Sequence, residues 1–429
     1  MNGLRVRFVV LTSLICSTLL FPAESHAAYA FTSHTFTTCG ATGATGPTQT
    51  SCRSAYTTTW DESNSNFTVV SGIQLWVVPA TATYRITVLG AKGGDQAISL
   101  GGSGASMQGE FSLTEGSTLK ILVGQIGLSD SGSNGSAGGG GGSFVTTSSN
   151  TPLIIAGGGG GAADGTSTGN KNGIGGTSAT SGTAGRDGSA AGGTSGNGGT
   201  SGALSAPTTN GWSGAGGGGL LNAGGNATEA GALITGTGGG AFTSGGTGGI
   251  ASTVWTYGGD GGFGGGGAGA WGPGGGGGYS GGGGDRSIGN GNDKEGGGGG
   301  GSYNSGTNQI NASDSNAGAG SITIAMTNVA TTASISLAGN VRTVYKGTTI
   351  SITATVDQAG TVTFFANGKS IGNCVSRVAA STTATCNWKP SVQGNVNIFA
   401  RLKPANSAYN QSQSSTLTLV VVRRSGLRA

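Results

Sequence analysis

Pro152-Leu153-Ile154-Ile155-Ala156-Gly157-Gly158-Gly159-Gly160-Gly161 reads as a β-strand that runs without a break into a glycine tract. A short apolar run bounded by Pro and Gly is a strand signal. The tract opens a region, residues 157–301, where glycine runs at 216–219, 264–267, 274–278, 281–284 and 296–301 are separated mostly by Ser, Thr, Ala and Asn. Upstream lie more strands. Residues 67–70 and 73–78 flank Ser71-Gly72. Tyr84-Arg85-Ile86-Thr87-Val88-Leu89 alternates apolar and polar side chains with period two, as does 106–113; 118–123 and 143–147 follow. Downstream, the pattern resumes at Ser302-Tyr303 and closes with Ser321-Ile322-Thr323-Ile324-Ala325-Met326. The glycine region is therefore an insert (157–301) between strands that can pair (56–156 and 302–326), within one all-β unit spanning 31–327. Residues 31–55 are polar and turn-rich and read as a disulfide-closed loop at its edge.

Glycine supplies 95 of 429 residues, against ~7% in an average chain. Ordering each residue costs ~1–2 kcal/mol, most for glycine, and the insert has few apolar side chains to offset it. Backbone hydrogen bonding and close backbone packing are the driving forces left. A polyproline II rod makes no internal hydrogen bonds, so its N–H and C=O groups can bond to neighbouring rods wherever no Cβ intervenes. Two expectations follow, an ordered bundle clamped by the flanking strands or a flexible insert. Collagen is excluded by the missing Gly-X-Y period and the eight prolines. Isolated Asp260, Asp285 and Asp293 do not make calcium-binding repeats. Arg186 and Arg286 are too few for an RNA-binding Arg-Gly-Gly tract. No Gly-x-Gly-x-x-Gly opens a helix, so no dinucleotide or other cofactor is expected.

Only 8% of residues are charged, and the net charge is +4. Taken as evenly spread, that charge predicts no basic stripe and no nucleic-acid partner. Residues 1–30 read as a signal peptide: Arg5 and Arg7, an apolar stretch at 8–21, then small residues. Cys39, Cys52, Cys374 and Cys386 remain, an even number that fits a secreted protein. The two close spacings favour Cys39–Cys52 and Cys374–Cys386 among three connectivities. Residues 331–422 read as a second β-sandwich of some seven strands, with a hairpin at 362–371 turning on Asn367-Gly368. A tail at 423–429 shows no sorting signal or apolar segment, so free secretion or loose cell-surface association is expected, with no membrane span after signal cleavage.

Three segments in order carry a resemblance. Tyr84-Arg85-Ile86-Thr87-Val88-Leu89-Gly90-Ala91-Lys92-Gly93-Gly94, Leu119-Lys120-Ile121-Leu122-Val123-Gly124-Gln125-Ile126-Gly127, and 138–145 continued by 152–161 together resemble the extracellular glycine-rich domain of the anaplastic lymphoma kinase and leukocyte tyrosine kinase receptors and its bacterial relatives. Gly40-Ala41-Thr42-Gly43 with Gly46-Pro47-Thr48 resembles the secreted bacterial members. The resemblance covers about 31–326. It implies a tumour-necrosis-factor-like β-sandwich with an inserted polyglycine II bundle, and, in the receptors, a part in binding protein ligands. The C-terminal unit resembles bacterial immunoglobulin-like repeats of surface adhesins.

No catalytic or metal constellation is visible. His34 is the single histidine beyond the leader, the cysteines are expected to be oxidised, and Asp61-Glu62 and Asp293-Lys294-Glu295 read as turn and surface charges. The chain is therefore expected not to be an enzyme; a carbohydrate-active enzyme built on a carboxylate pair is the minor alternative. Among the glycines sit Trp212, Trp255, Tyr257, Phe263, Trp271 and Tyr279. Trp212, Trp255, Tyr257, Trp271 and Tyr279 are the candidate contact residues for a protein or carbohydrate ligand, with packing against the sandwich as the structural alternative. The leading expectation is a secreted adhesion or ligand-binding protein; the second is a structural matrix or cell-envelope protein.

Overall fold

The computed structural model describes residues 29, 31–130, 135–164, 169–202, 212–228, 234–252, 258–288, 293–327, 331–379, 382–405 and 409–424. The leader expected at 1–30 falls outside these except for Tyr29, and of the tail only Arg423 and Arg424 are included.

Residues 31–327 form two packed sheets. One has the order β1-β16-β4-β5-β15, from Ser33–Phe36 (β1), Ser321–Met326 (β16), Ala82–Leu89 (β4), Gly104–Leu113 (β5) and Thr307–Asn316 (β15). The other runs β14-β8-β7-β6-β3-β2, from Tyr303–Asn304 (β14), Pro152–Ala156 (β8), Ser143–Thr147 (β7), Thr118–Leu122 (β6), Ile73–Val77 (β3) and Phe67–Val70 (β2). The alternation at 84–89 has its expected result: Tyr84, Ile86 and Val88 are buried against Trp76, Phe36, Phe67 and Met107 between the sheets. β16 pairs with β4 in register from Ser321↔Leu89 to Met326↔Tyr84, which closes the sheet across the glycine region.

Two elements correct the sequence expectation. Residues 31–55 are more than a loop. β1 pairs with β16, and Gln49–Ala55 is a helix (α1), the only α-helix among the described residues. Thr48 caps it by accepting from the Ser51 N–H, and the Ser51 hydroxyl accepts from the Thr48 N–H, a reciprocal cap that starts even a two-turn helix. Cys52 on α1 is bonded to Cys39. The second is β15, an exposed edge strand whose sequence Thr-Asn-Gln-Ile-Asn-Ala-Ser-Asp-Ser-Asn has no apolar period because neither face is buried.

The glycine region is a bundle of extended rods. The rod 157–163 shows the rule. Gly158 and Gly161 donate to Gly277 and Gly274, Gly159 and Ala162 to Ala91 and Gly94, and Gly160 and Ala163 to Ile174 and Lys171, all at 2.8–3.0 Å. Its carbonyls accept with the same spacing: Gly158 and Gly161 from Gly300 and Gly297, Gly159 and Ala162 from Gly140 and Ala137, Gly157 and Gly160 from Ala105 and Gly102. Residues three apart meet the same neighbour, so the rod has three residues per turn, the period of polyproline II. Six neighbours surround it, one parallel (91–94) and five antiparallel. Rod 274–278 follows the same rule, with Gly274 and Gly277 donating to Ala137 and Gly140, and Gly275 and Gly278 to Ala215 and Gly218. Glycine is required by distance: a Cβ on Gly159 would lie 1.8 Å from the Gly102 oxygen.

The bundle reaches further back than residue 157. Rod 90–94 continues β4, 124–128 continues β6, 137–142 leads into β7, and 157–163 continues β8. The rods are thus prolongations of strands at one end of the sandwich. Short strands pin the bundle elsewhere: Trp212–Ser213 (β9), Ala227–Thr228 (β10), Ile234–Gly236 (β11), Arg286–Ile288 (β12) and Asp293–Lys294 (β13), paired β10-β11 and β13-β12-β9. Leu220, Phe242 and Phe263 from the bundle pack on Leu122, Phe144 and Ile155. The six-stranded sheet is covered on both faces there, so β7 reads Ser-Phe-Val-Thr with no polar side.

Residues 331–424 form a second two-sheet sandwich. Ala333–Leu337 (β17), Ile350–Val356 (β19) and Thr383–Trp388 (β23) make one sheet, ordered β17-β19-β23. The other is ordered β18-β26-β24-β20-β21, from Thr343–Tyr345 (β18), Leu417–Val422 (β26), Gly394–Pro404 (β24), Gly360–Ala366 (β20) and Lys369–Ser370 (β21); Arg377–Ala379 (β22) pairs with β20 and Ser412–Gln413 (β25) with β24. Asn367 and Gly368 adopt positive φ between β20 and β21. Cys374 is bonded to Cys386, and Ile352, Phe364, Ile398 and Leu419 fill the core.

Candidate functional site

The aromatic residues named from the sequence divide into two places. Tyr279 stacks on Tyr303 with ring centroids 4.9 Å apart and packs against the Phe263 and Phe242 cluster. Its environment is the joint between bundle and sheet. Trp212 and Trp271 instead stack on each other, 4.6 Å apart and 18° from parallel, and both are half-buried. Trp255 and Tyr257 lie outside the described residues.

The Trp pair sits on a small sheet. In β13-β12-β9, Ser287 faces Trp212 on one side and Lys294 on the other, so the three form one cross-strand row. Trp271 approaches from the turn after Ala270, where its carbonyl accepts from the Ser136 hydroxyl at 2.6 Å. The Lys294 ammonium lies 5.1 Å from the Trp271 ring centroid, close enough for a cation–π contact.

Charged residues read as surface features are buried here. Lys294 is 1% exposed. Burial lowers its pKa to about 8, opposed by Asp164 and Asp130 and reinforced by Lys171. Asp285 is fully buried. Burial raises its pKa to about 10, helped by the hydrogen bond to Asp187 and that carboxylate's charge and opposed by the N–H groups of Arg286 and Glu295. Those N–H groups donate to Asp285 at 2.9 and 3.0 Å. Burial also pushes the Asp187 pKa up, but hydrogen bonds from Asp285, Ser189 and Arg286 outweigh it and hold it low. The Arg286 guanidinium meets Asp187 at 2.6 Å. The result is a protonated Asp285 donating to an ionised Asp187, itself paired with Arg286. A like-charged carboxyl pair resolves itself this way, by keeping one proton.

The cluster braces β12, and so the Trp row, from beneath. The cluster is hidden in the sequence because Asp187 lies 98 positions before Asp285. The one available signal was the spacing of Asp285-Arg286 and Asp293-Lys294-Glu295 across Gly289-Asn290-Gly291-Asn292 between two glycine runs. Among the described residues no group of three or more His, Cys, Asp or Glu is placed to hold a metal ion. His34 is enclosed by Phe36, Tyr56 and Trp60, and burial lowers its pKa to about 4 against the opposing charge of Asp61. Asp61 is itself fully buried, with one oxygen receiving the Thr58 hydroxyl, which also corrects its reading as a surface charge.

Part of this chain is similar to a receptor. Over 99 aligned residues it is 42% identical to the leukocyte tyrosine kinase receptor of Mus musculus. The match takes in 21% of this chain and 11% of that receptor, so the chain spans only about a ninth of the relative's length. No family model matches the chain. Among the described residues no helix is long and apolar enough to cross a membrane.

Proposed function

We propose that the chain is an extracellular, non-enzymatic binding protein in which the glycine-rod bundle is a rigid platform and the Trp212–Trp271 pair a contact surface. The observation that carries this reading is that stacked, half-buried pair, braced by Lys294 and the buried Asp285–Asp187–Arg286 chain. Stiff aromatic surface lowers the entropy cost of binding and is a favoured anchor for proteins and sugars. Two disulfides and the similarity to part of a receptor support an extracellular setting. A tumour-necrosis-factor-like topology for the first sandwich and an immunoglobulin-like one for the second fit the two-sheet architectures.

The test is binding of the purified chain to a printed glycan array and to intact cells, compared with Trp212→Ala/Trp271→Ala. Retained circular dichroism with at least a tenfold loss of binding is the expected result, in line with the ~2 kcal/mol or more carried by a hot-spot aromatic. Equal binding by the variant would favour the second reading, a structural matrix or envelope protein, which the self-sufficient backbone lattice of the bundle also supports.

A further inference from the structure

The expected even spread of charge does not hold. Residues 331–429 contain ten of the 20 Lys and Arg but one of the 16 acidic residues, a net charge of +9; residues 1–330 contain the other ten cations and 15 acids, a net charge of −5. The near-neutral total hides two oppositely charged halves. The lone acid, Asp357, is occupied by the Thr332 N–H and hydroxyl. None of the ion pairs among the described residues involves a described cation of the second sandwich.

Half of these cations meet at one sheet edge. β18 runs parallel to β26, with Thr343↔Val420 and Tyr345↔Val422 in register. Arg342 and Lys346 flank β18, and Arg423 and Arg424 follow β26. The Lys346 N–H donates to the Val422 carbonyl and the Gly347 N–H to that of Pro390, at 2.8 and 2.9 Å. The second bond brings Lys389 to the same edge. All five cations are exposed. In their midst Tyr345 is 48% exposed, with the Arg424 guanidinium 5.8 Å from its ring centroid. Pro390 also lines a groove of about 540 Å³ that reaches across to β21 at the other edge of the sheet, with Trp388, Lys369, Asn367 and Asn373 in its walls and no carboxylate.

Five exposed cations without a carboxylate partner favour a ligand rich in fixed negative charge. Their arrangement along an edge suits a linear chain. Tyr345 and the half-buried Trp388 offer flat faces for sugar rings, and the groove amides suit hydroxyls. We infer that this edge of the C-terminal sandwich binds an anionic polysaccharide, with the cations on its carboxylate or sulfate groups and Tyr345 and Trp388 on its rings. This site is separate from the Trp212–Trp271 surface, and it gives the chain a means of non-covalent retention at a charged surface.

The test measures binding of the purified full chain to heparin, with neutral dextran, phosphatidylglycerol vesicles and a DNA duplex as comparisons. Heparin binding that weakens with salt, without dextran binding, is expected. Lys346→Gln/Arg424→Gln should weaken it about thirtyfold, at ~1 kcal/mol per cation near an anionic surface. Arg377→Gln/Lys403→Gln removes the same charge from β22 and the far end of β24 and should leave binding within about twofold. Tyr345→Ala keeps the charge and should cost about fivefold. If Lys346→Gln/Arg424→Gln does not fold, Lys346→Gln alone is read, with a loss of about fivefold expected. Absence of heparin binding, equal losses from both charge pairs, or no loss with Tyr345→Ala would overturn the proposal. Vesicles or DNA bound as tightly as heparin, with the same variant pattern, would overturn it in favour of a lipid or nucleic-acid partner.

Discussion

Replacing Gly159 by alanine tests the rod bundle at one of its most crowded points. The new Cβ would lie 1.8 Å from the Gly102 oxygen, whereas ordinary contact begins at 3.4 Å. Rod 101–105 would have to retreat by about 1.6 Å. Gly102 donates to Gly160 and accepts from Gly93, both at 2.9 Å, and neither bond survives such a shift. Two buried hydrogen bonds broken cost ~1–3 kcal/mol each, less the ~0.4–1 kcal/mol that alanine contributes by restricting the unfolded chain. The net loss is roughly 2–5 kcal/mol, read as a lower urea midpoint by tryptophan fluorescence and as faster amide exchange across 157–163. Gly372→Ala is the control: its Cβ meets nothing within 4 Å, and its effect should stay within about 0.5 kcal/mol. A Gly159→Ala chain within about 1 kcal/mol of wild type, with unchanged amide protection, would refute the claim that close rod contact holds the bundle together.

Three further outcomes are expected. His34 has a folded pKa of about 4 against ~6.5 unfolded, so stability present above that unfolded value is lost as pH falls towards 4. The loss is about 1–2 kcal/mol after allowing for partial solvation, and His34→Phe should flatten the acid limb of a stability–pH profile. Asp285 shows the opposite sign: with a folded pKa of about 10, it contributes stability below about pH 4 that is lost as pH rises towards 10. Asp285→Asn should therefore lose less stability than wild type between pH 5 and 9 in thermal melts. Each disulfide closes a short loop, with sequence separations of 13 and 12. Paired replacement by serine, Cys39→Ser/Cys52→Ser or Cys374→Ser/Cys386→Ser, should cost ~3 kcal/mol in denaturant titration.

The all-β character was legible because the strands that build the first core bury alternate residues, and 84–89 and 321–326 say so in period two. Both disulfides followed from spacing. The bundle was legible as a possibility only: the runs of glycine named the material, but the partner of each rod lies far along the chain, as Gly158 with Gly277 shows. That rods begin before residue 157 was hidden because tracts such as 124–128 mix glycine with Gln, Ile and Leu. β15 and α1 escaped because one buries no face and the other is two turns long. The site escaped for a related reason. Asp187 and Asp285 are 98 positions apart, and only the folded bundle sets them together. The basic sandwich, in contrast, was present in the composition of the halves and vanished in the sum.

The threefold bonding of the rods has a mechanical consequence. A β-sheet resists shear within its plane and yields more readily across its faces, where side chains alone make contact. A rod bonded to neighbours in several directions has no such weak plane. Load entering at the Trp212–Trp271 pair would be shared laterally among many rods and delivered to the sandwich through several strands at once. A surface protein that must keep hold of a ligand under flow would gain from that distribution of force.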